Sequence, residues 1–323
     1  MNTNQLPFFR KYTLIVLERL APRIPIPDRL YLHIKYYCRV GKRLHLKNPR
    51  TFNEKRQWLK LYGRRPIDTV LSDKYAVKDF ITKTIGAQYV IPLLGVWDRF
   101  DDIVFDKLPN QFVLKCTYDS GGIVICRDKS RLDIEAARQK LTRGLSHNFY
   151  VYSREKAYRD IPRRIIAEEY REDSKTGELR DYKFFCFDGV PKALFIASDR
   201  PVEGEETKFD FFEMDYDHLP FTNGHPNAKV TPEKPVCFEE MKVLAAKLSK
   251  GIPHVRVDFY EVDGQVYFGE MTYSHWGGMT PFVPEKWDYI FGSWITLPTG
   301  KRMGGLIISM IYWNTPSCVK VAA

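Results

Sequence analysis

Apolar residues recur at helical spacing in six stretches of the chain. Residues 7–20 (PFFRKYTLIVLERL) and 29–39 (RLYLHIKYYCR) read as two amphipathic helices separated by the proline-rich APRIPIPD. Phe52, Trp58, Leu59 and Tyr62 give a third helix, with Thr51 or Asn53 as its cap. A fourth is expected to start after Ser72, to carry Asp73, Lys74, Tyr75, Lys78 and Phe80, and to end at Gly86. Residues 133–148 form a basic fifth helix. In the sixth, 236–250, Phe238, Met241, Leu244, Ala245 and Leu248 share one face, and Gly251 ends it.

Short apolar runs bounded by turn residues fill the intervals and read as strands. YVIPLLGVW and RIIAEEY are single runs, whereas FVLKCTY and GIVICRD pair around Asp119-Ser120-Gly121-Gly122. DYKFFCF and VPKALFIAS pair around Asp188-Gly189. The interval 201–234 is polar, holds several prolines, and reads as a long loop or a small excursion. The last pair, within RVDFYEVDGQVYFGEMT, closes on Asp263-Gly264, a dipeptide that favours a type I′ turn. Side chains alternate along a strand, so Arg256, Asp258 and Tyr260 share one face, as do Glu270 and Thr272. In this hairpin Asp258 and Glu270 can come opposite each other.

An arginine and two carboxylates on one strand face are an odd choice for a core, because buried charge is costly unless paired or bound to metal. The set is either a solvent-facing ion pair or a site for Mg²⁺, which takes hard oxygen ligands and completes its shell with water and phosphates. Lys115 ends the apolar run Phe112–Leu114, a setting that buries the stem and aims the ammonium. Ser120, Gly121 and Gly122 follow with flexible backbone; alone they are simply a turn, and no GxxxxGK[ST] or GxGxxG motif is present. Asp181 and Lys183 flank Tyr182, where charges are ordinarily surface groups.

The composition, 44% hydrophobic and 14% aromatic over 323 residues, is that of a globular chain large enough for two domains or one with insertions. The net charge of +10 is uneven: residues 1–60 carry 14 basic and 3 acidic side chains, +11, which leaves −1 for the rest. The two basic helices either lie on an anionic membrane surface or pack as a helical layer with a solvated basic face. No nucleic-acid-binding motif accompanies the charge, so nucleic acid is not an expected partner. The six cysteines are far apart and form no CxxC, which fits free thiols in a reducing cytoplasm. Leu14–Leu17 is too short for a signal peptide core, and no apolar run is long enough to span a bilayer.

FNEKRQWLKLY, SDKYAVKDF, LPNQFVLKCTYDSGG, RIIAEEY, DYKFFCFDG, VRVDFY and FGEMT stand in this order over roughly residues 50–285. Taken together they resemble the ATP-grasp superfamily, and within it the TupA-like branch, linked to teichuronopeptide biosynthesis and bacterial surface polysaccharides. The resemblance implies an α+β chain in which two antiparallel sheets flanked by helices hold the nucleotide between them. It divides the chain into a basic helical segment (1–50), an N-terminal α/β subdomain (51–110), a lid subdomain with the glycine-rich hairpin (111–170) and a C-terminal subdomain with the metal site (171–323).

By the same resemblance, Lys115 and an earlier lysine, Lys74 or Lys78, contact the phosphates of ATP while Ser120-Gly121-Gly122 folds over them. Glu168, Glu169 and Tyr170 match the segment that reads adenine and ribose, and Asp181 and Lys183 join the nucleotide-binding set. Asp258 and Glu270 match Mg²⁺ ligands, and Arg256 matches an arginine that steadies the transferring phosphate. Thr272 stands where many such ligases carry asparagine, which puts a second metal in question. His275 and Trp276 are candidates for the acceptor pocket, Trp276 either stacking on a sugar face or packing in the core.

The implied chemistry is ATP- and Mg²⁺-dependent activation of a carboxylate as an acyl phosphate, then amide formation with an amine or amino acid. A uronic acid of a bacterial capsule or surface polysaccharide, or its precursor, is the expected carboxylate, in the cytoplasm or at the inner membrane face. Three alternatives stay open. Asp215-Tyr216-Asp217 has the DxD form of a metal-dependent glycosyltransferase, a kinase on the same fold would use a hydroxyl acceptor, and a non-catalytic scaffold would only bind.

Overall fold

The computed structural model describes residues 6–118, 121–175, 177, 179–198 and 207–298. The chain opens with helices α1 (Phe8–Leu20) and α2 (Asp28–Val40), which pack on each other through Leu17, Tyr31, Leu32 and Tyr36. α3 (Phe52–Tyr62) follows, and its cap is Thr51: the hydroxyl accepts from the Glu54 N–H, and the Glu54 carboxylate accepts in return from the Thr51 N–H. This reciprocal pair satisfies two amides that a helix start leaves open.

The expected fourth helix is two, α4 (Ile67–Ser72) and α5 (Val77–Thr84), and Lys74 lies in the turn between them. Asp73 breaks the helix. Its backbone is extended, its carboxylate accepts from the Tyr75 N–H (2.8 Å) and Arg164 (3.0 Å), and the Lys74 N–H reaches across to the Thr117 carbonyl at 3.0 Å.

β1 (Leu93–Trp97), β2 (Phe112–Cys116), β3 (Ile123–Cys126), α6 (Ile134–Ser146), α7 (Phe149–Ser153) and β4 (Ile165–Glu169) come next. The four strands form one antiparallel sheet in the order β1-β4-β2-β3. Alternation assigns its faces: Phe112, Leu114, Cys116, Ile165 and Ala167 pack under Ala137 and Leu141 of α6. Lys115 and Glu168 therefore point out of the other face.

The remaining elements are β5 (Asp181–Phe187), β6 (Val190–Ser198), β7 (Lys208–Phe212), β8 (His218–Leu219), β9 (Thr222–Asn223), α8 (Phe238–Ser249), β10 (Val255–Val262), β11 (Gln265–Thr272), β12 (Phe282–Val283) and α9 (Lys286–Trp294). Six of the strands make a second antiparallel sheet, β11-β10-β5-β6-β7-β8. The described part of the interval 201–234 thus holds β7, β8 and β9, where a long loop or a small excursion was expected. Phe209 and Phe211 alternate with Asp210 and Phe212 to opposite faces of β7, a pattern too short to stand out from its polar flanks. Asp215-Tyr216-Asp217 is the turn from β7 to β8, with Tyr216 in a left-handed conformation.

The two faces of the larger sheet differ. On one, Phe184, Val255, Val257 and Phe259 pack beneath Phe238, Met241 and Leu244 of α8. Each such fully buried side chain contributes ~2 kcal/mol. The other face changes character along its strands. One half, with Phe185, Phe187 and Phe211, is covered by Phe52 of α3 and Phe291 of α9. The other half presents Asp181, Lys183 and Glu270 to a cleft that Lys115 and Glu168 of the four-stranded sheet also line.

Candidate functional site

A cleft of about 370 Å³ lies between the two sheets. Lys74, Lys78, Lys115 and Glu168 line one wall, and Asp181, Lys183, Arg256 and Glu270 line the other.

The second wall is set by strand register. Asp258 of β10 stands opposite Glu270 of β11 on one side and opposite Lys183 of β5 on the other. The hairpin that brings Glu270 there turns at Asp263 (φ 50°) and Gly264 (φ 78°), the two positive angles of a type I′ turn. Asp258 is fully buried. Arg256 grips it with two bonds of 2.7 Å, from Nε to Oδ1 and from Nη2 to Oδ2, and Lys183 Nζ lies 2.6 Å from Oδ2. Lys183 also pairs with Asp181 at 3.0 Å. Burial pushes the Asp258 carboxyl upward against the pull of Arg256 and Lys183. Burial opposes the charge of Arg256 as well, but Asp258 and Glu270 outweigh it and raise its pKa.

Arg256 Nη2 reaches further, to Glu270 Oε1 at 3.1 Å and Thr272 Oγ1 at 2.9 Å, while the Thr272 hydroxyl donates to Glu270 Oε1 at 3.0 Å. The role of Thr272 in this arrangement is a brace between guanidinium and carboxylate. The Glu270 side chain remains 39% exposed. Burial works to raise its pKa, yet Lys74, Arg256 and Lys183 prevail and hold it at about 2.

His275 is buried, and its Nδ1 lies 2.9 Å from Arg256 Nη1. A guanidinium only donates, so Nδ1 is the acceptor and Nε2 carries the proton, which it gives to Asn223 Oδ1 at 3.0 Å. Burial and the neighbouring Arg256 keep this imidazole well below its ordinary pKa, hence neutral. His275 thus orients Arg256 and lines the cleft beside Trp276. Trp276 beside it is 42% exposed at the cleft rim, 5.9 Å from the Phe209 ring and 5.6 Å from His225.

On the first wall, the two oxygens of Glu168 are each taken by a lysine: Lys78 at 2.5 Å from Oε1 and Lys115 at 2.6 Å from Oε2. Lys78 is further anchored on the Ile91 carbonyl at 2.9 Å. Burial raises the Glu168 pKa, but the two lysines lower it by more. Glu168, expected to meet the ribose, clasps two ammonium groups at the cleft. Glu169 turns to Arg171 at 2.5 Å; the Tyr170 hydroxyl accepts from Arg127 at 2.7 Å and donates to Glu172. Gly121 is exposed with open space about it, Gly122 is tied back by the Cys116 N–H, and Ser120 lies outside the described residues.

Sequence reasoning assigned no role to the polar face of α3, which holds the segment carrying His275 and Trp276. Gln57 donates to the carbonyls of Gly277 and Gly278 at 3.0 and 2.7 Å, Lys60 to Gly277 at 2.8 Å, and Arg56 to the Ser274 hydroxyl at 3.1 Å. Trp276, Gly277 and Gly278 all have positive φ, so the chain turns sharply there and presents the Gly277 and Gly278 carbonyls to α3. The helical pattern marked α3, but the partners of its polar face lie over 200 residues away.

The donor set fits the groups that the resemblance implies. Three lysines on one wall suit a polyphosphate. Among the described residues no three His, Cys, Asp or Glu side chains cluster as a complete metal cage. Mg²⁺ does not need one, since one or two carboxylates with phosphate and water suffice. Glu270 is the accessible carboxylate for it, and Asp258, wrapped by Arg256 and Lys183, stands behind.

Two antiparallel sheets enclosing a cleft, with Lys115 and Glu168 on one and Lys183, Arg256, Asp258 and Glu270 on the other, define an ATP-grasp architecture. A family model described as TupA-like ATPgrasp matches residues 54–296, and the chain belongs to that family. No curated protein matches significantly. Among solved structures, the chain is similar to D-alanine–D-alanine ligase from Bacillus anthracis in complex with ATP, with 16% identity over 63% of this chain and 55% of that one and a TM-score of 0.38. The corresponding figures are 13%, 76%, 69% and 0.41 for D-alanine–D-alanine ligase from Helicobacter pylori, and 16%, 71%, 70% and 0.39 for D-cycloserine synthetase DcsG. The chain spans just over half the length of the B. anthracis ligase.

Proposed function

We propose that this protein is an ATP- and Mg²⁺-dependent ligase that joins a carboxylate to an amine. The observation that carries the reading is the opposition of Lys78-Glu168-Lys115 on one wall to Arg256-Asp258-Glu270 on the other. Phosphoryl transfer needs positioning and charge neutralisation more than covalent help from the protein. Lys78 and Lys115 hold the phosphates, and Glu168 keeps both ammonium groups aimed when none is present. Glu270, with Asp258 behind it, would hold Mg²⁺, which would supply charge neutralisation to the phosphates.

A substrate carboxylate oxygen attacks the γ-phosphorus of ATP, ADP leaves, and an acyl phosphate forms. The amine then attacks the acyl carbon, phosphate departs, and the nitrogen loses a proton. Arg256, held by Asp258 and His275, donates to the negative charge that develops at each stage. We place the carboxylate on a uronic acid of a surface saccharide or its precursor. The support is Trp276, a half-exposed indole at the cleft rim, backed by Phe209 and His225, whose flat face suits a sugar ring.

Calorimetry with Mg²⁺-ATP, with UDP-sugars and Mn²⁺ as the contrast, tests the nucleotide assignment, and Lys115→Ala should lose ATP binding. UDP-sugar binding without ATP binding would overturn it. ADP release from a panel of uronic acids offered with amino acids then tests the acceptor.

A further inference from the structure

We propose that α1 is a membrane-surface element that docks the N-terminal layer on anionic lipid. Phe8, Tyr12, Val16 and Leu20 are spaced by four and so run along one strip of the helix, with Phe9 at its border. They are 74%, 52%, 53%, 39% and, for Phe9, 80% exposed, and Ile24 continues the strip past the helix end at 48%. The opposite side of the helix is occupied, since Leu14 and Leu17 are buried. Among the described residues the strip is therefore surplus to the packing of α1, and contiguous apolar surface of this kind marks an interaction site.

The charges around it select the occupant. Residues 1–50 hold two acids, Glu18 and Asp28, and both are paired: Glu18 with Lys35 at 2.9 Å, Asp28 with Arg154 at 3.4 Å and the Tyr150 hydroxyl at 3.0 Å. The exposed Arg19 and Arg23 border the strip, and Arg29, Arg43 and Lys47 are exposed on the same layer. An apolar strip flanked by cations fits the headgroup boundary of an anionic bilayer. A second copy of the chain fits poorly, because the same basic surface would meet itself across the interface. At 13 residues α1 would lie along the surface; no helix among the described residues is long and apolar enough to cross a membrane.

Sedimentation of the full chain with phosphatidylcholine vesicles, with and without phosphatidylglycerol, tests this. The wild type should partition onto the anionic vesicles alone and come off at high salt. Phe8→Ser/Phe9→Ser/Val16→Ser should lower that partition about tenfold or more while its melting curve and ATP binding are unchanged. Equal partition of variant and wild type, or equal binding to neutral vesicles, overturns the proposal. So does a lipid-free dimer that the triple variant breaks, which would make the strip a self-interface.

Discussion

Lys183 and Asp258 stand opposite each other on neighbouring strands, ammonium to carboxylate at 2.6 Å, at the centre of the wall that faces the lysines. Because Asp258 is fully buried and also holds Arg256, it compensates two cations at once. Removing its charge leaves Arg256 with the longer contact to Glu270 and Lys183 with Asp181, and the bidentate grip is lost. Asp258→Asn should therefore cost about 3–5 kcal/mol in urea unfolding. Lys183→Met should cost clearly less, because Arg256 still satisfies both oxygens of Asp258. Equal losses for the two variants would show that the guanidinium grip does not carry the pair.

Glu168 poses the same problem on the opposite wall, with the difference that a ligand is expected to share the cations. Glu168→Gln keeps the shape but deprives Lys78 and Lys115 of their common counter-charge, at a cost of about 3 kcal/mol. Phosphates in the cleft restore the missing negative charge. Saturating Mg²⁺-ATP should raise the melting temperature of the variant by more than that of the wild type, on top of the ordinary gain from ligand binding. An equal or smaller rise would mean that the two lysines are not placed for phosphate.

The parts of this site that were legible in the sequence are those set by local signals. Asp263-Gly264 marks the hairpin, which was readable because turn type and alternation act over a few residues, but the turn alone pairs Asp258 with Gly269, and a bulge after Asp258 brings Glu270 opposite. The clasp of Lys183 on Asp258 was not readable, because β5 and β10 are 75 residues apart and their pairing rests on the whole sheet. The same holds for Glu168, whose lysines come from α5 and β2. Asn223 was hidden in an interval that reads as polar loop, yet its amide donates to the Thr280 and Pro281 carbonyls and its oxygen fixes the tautomer of His275. Helix α3 was visible by its period, while the function of its polar face was carried by distant carbonyls.

His275 yields a pH signature. Its folded pKa lies well below the ordinary 6.5, and that of the buried His254 does too. The unfolded chain thus binds more protons below 6.5. The stability these groups contribute is present above pH 6.5 and is lost as the pH falls below it, each by about 1.4 kcal/mol per unit. His275→Ala should make the decline between pH 6 and 5 shallower by about one such increment and leave the share of His254. The same variant should lower kcat while ATP affinity stays near that of the wild type, because only the aim of Arg256 is lost. His275→Gln, whose amide can still accept from Arg256, should recover part of the turnover. No difference between the two variants would assign His275 to packing alone.

Trp276 separates platform from backbone strain. The residue sits at φ 50°, where a side chain costs about 1–2 kcal/mol, and its indole is half exposed at the cleft rim. Trp276→Ala and Trp276→Gly remove the same ring and the same contacts with Phe209 and His225. Glycine takes the left-handed conformation without that cost, so the glycine variant should be the more stable by about 1 kcal/mol in denaturant unfolding. If the ring stacks on the acceptor, both variants should raise KM for the saccharide to a similar extent and leave the nucleotide Kd unchanged, because the proposed phosphate site, Lys78 and Lys115, lies on the far wall. A KM that follows stability, recovering in glycine relative to alanine, would instead make Trp276 a part of the fold and move the acceptor site elsewhere in the cleft.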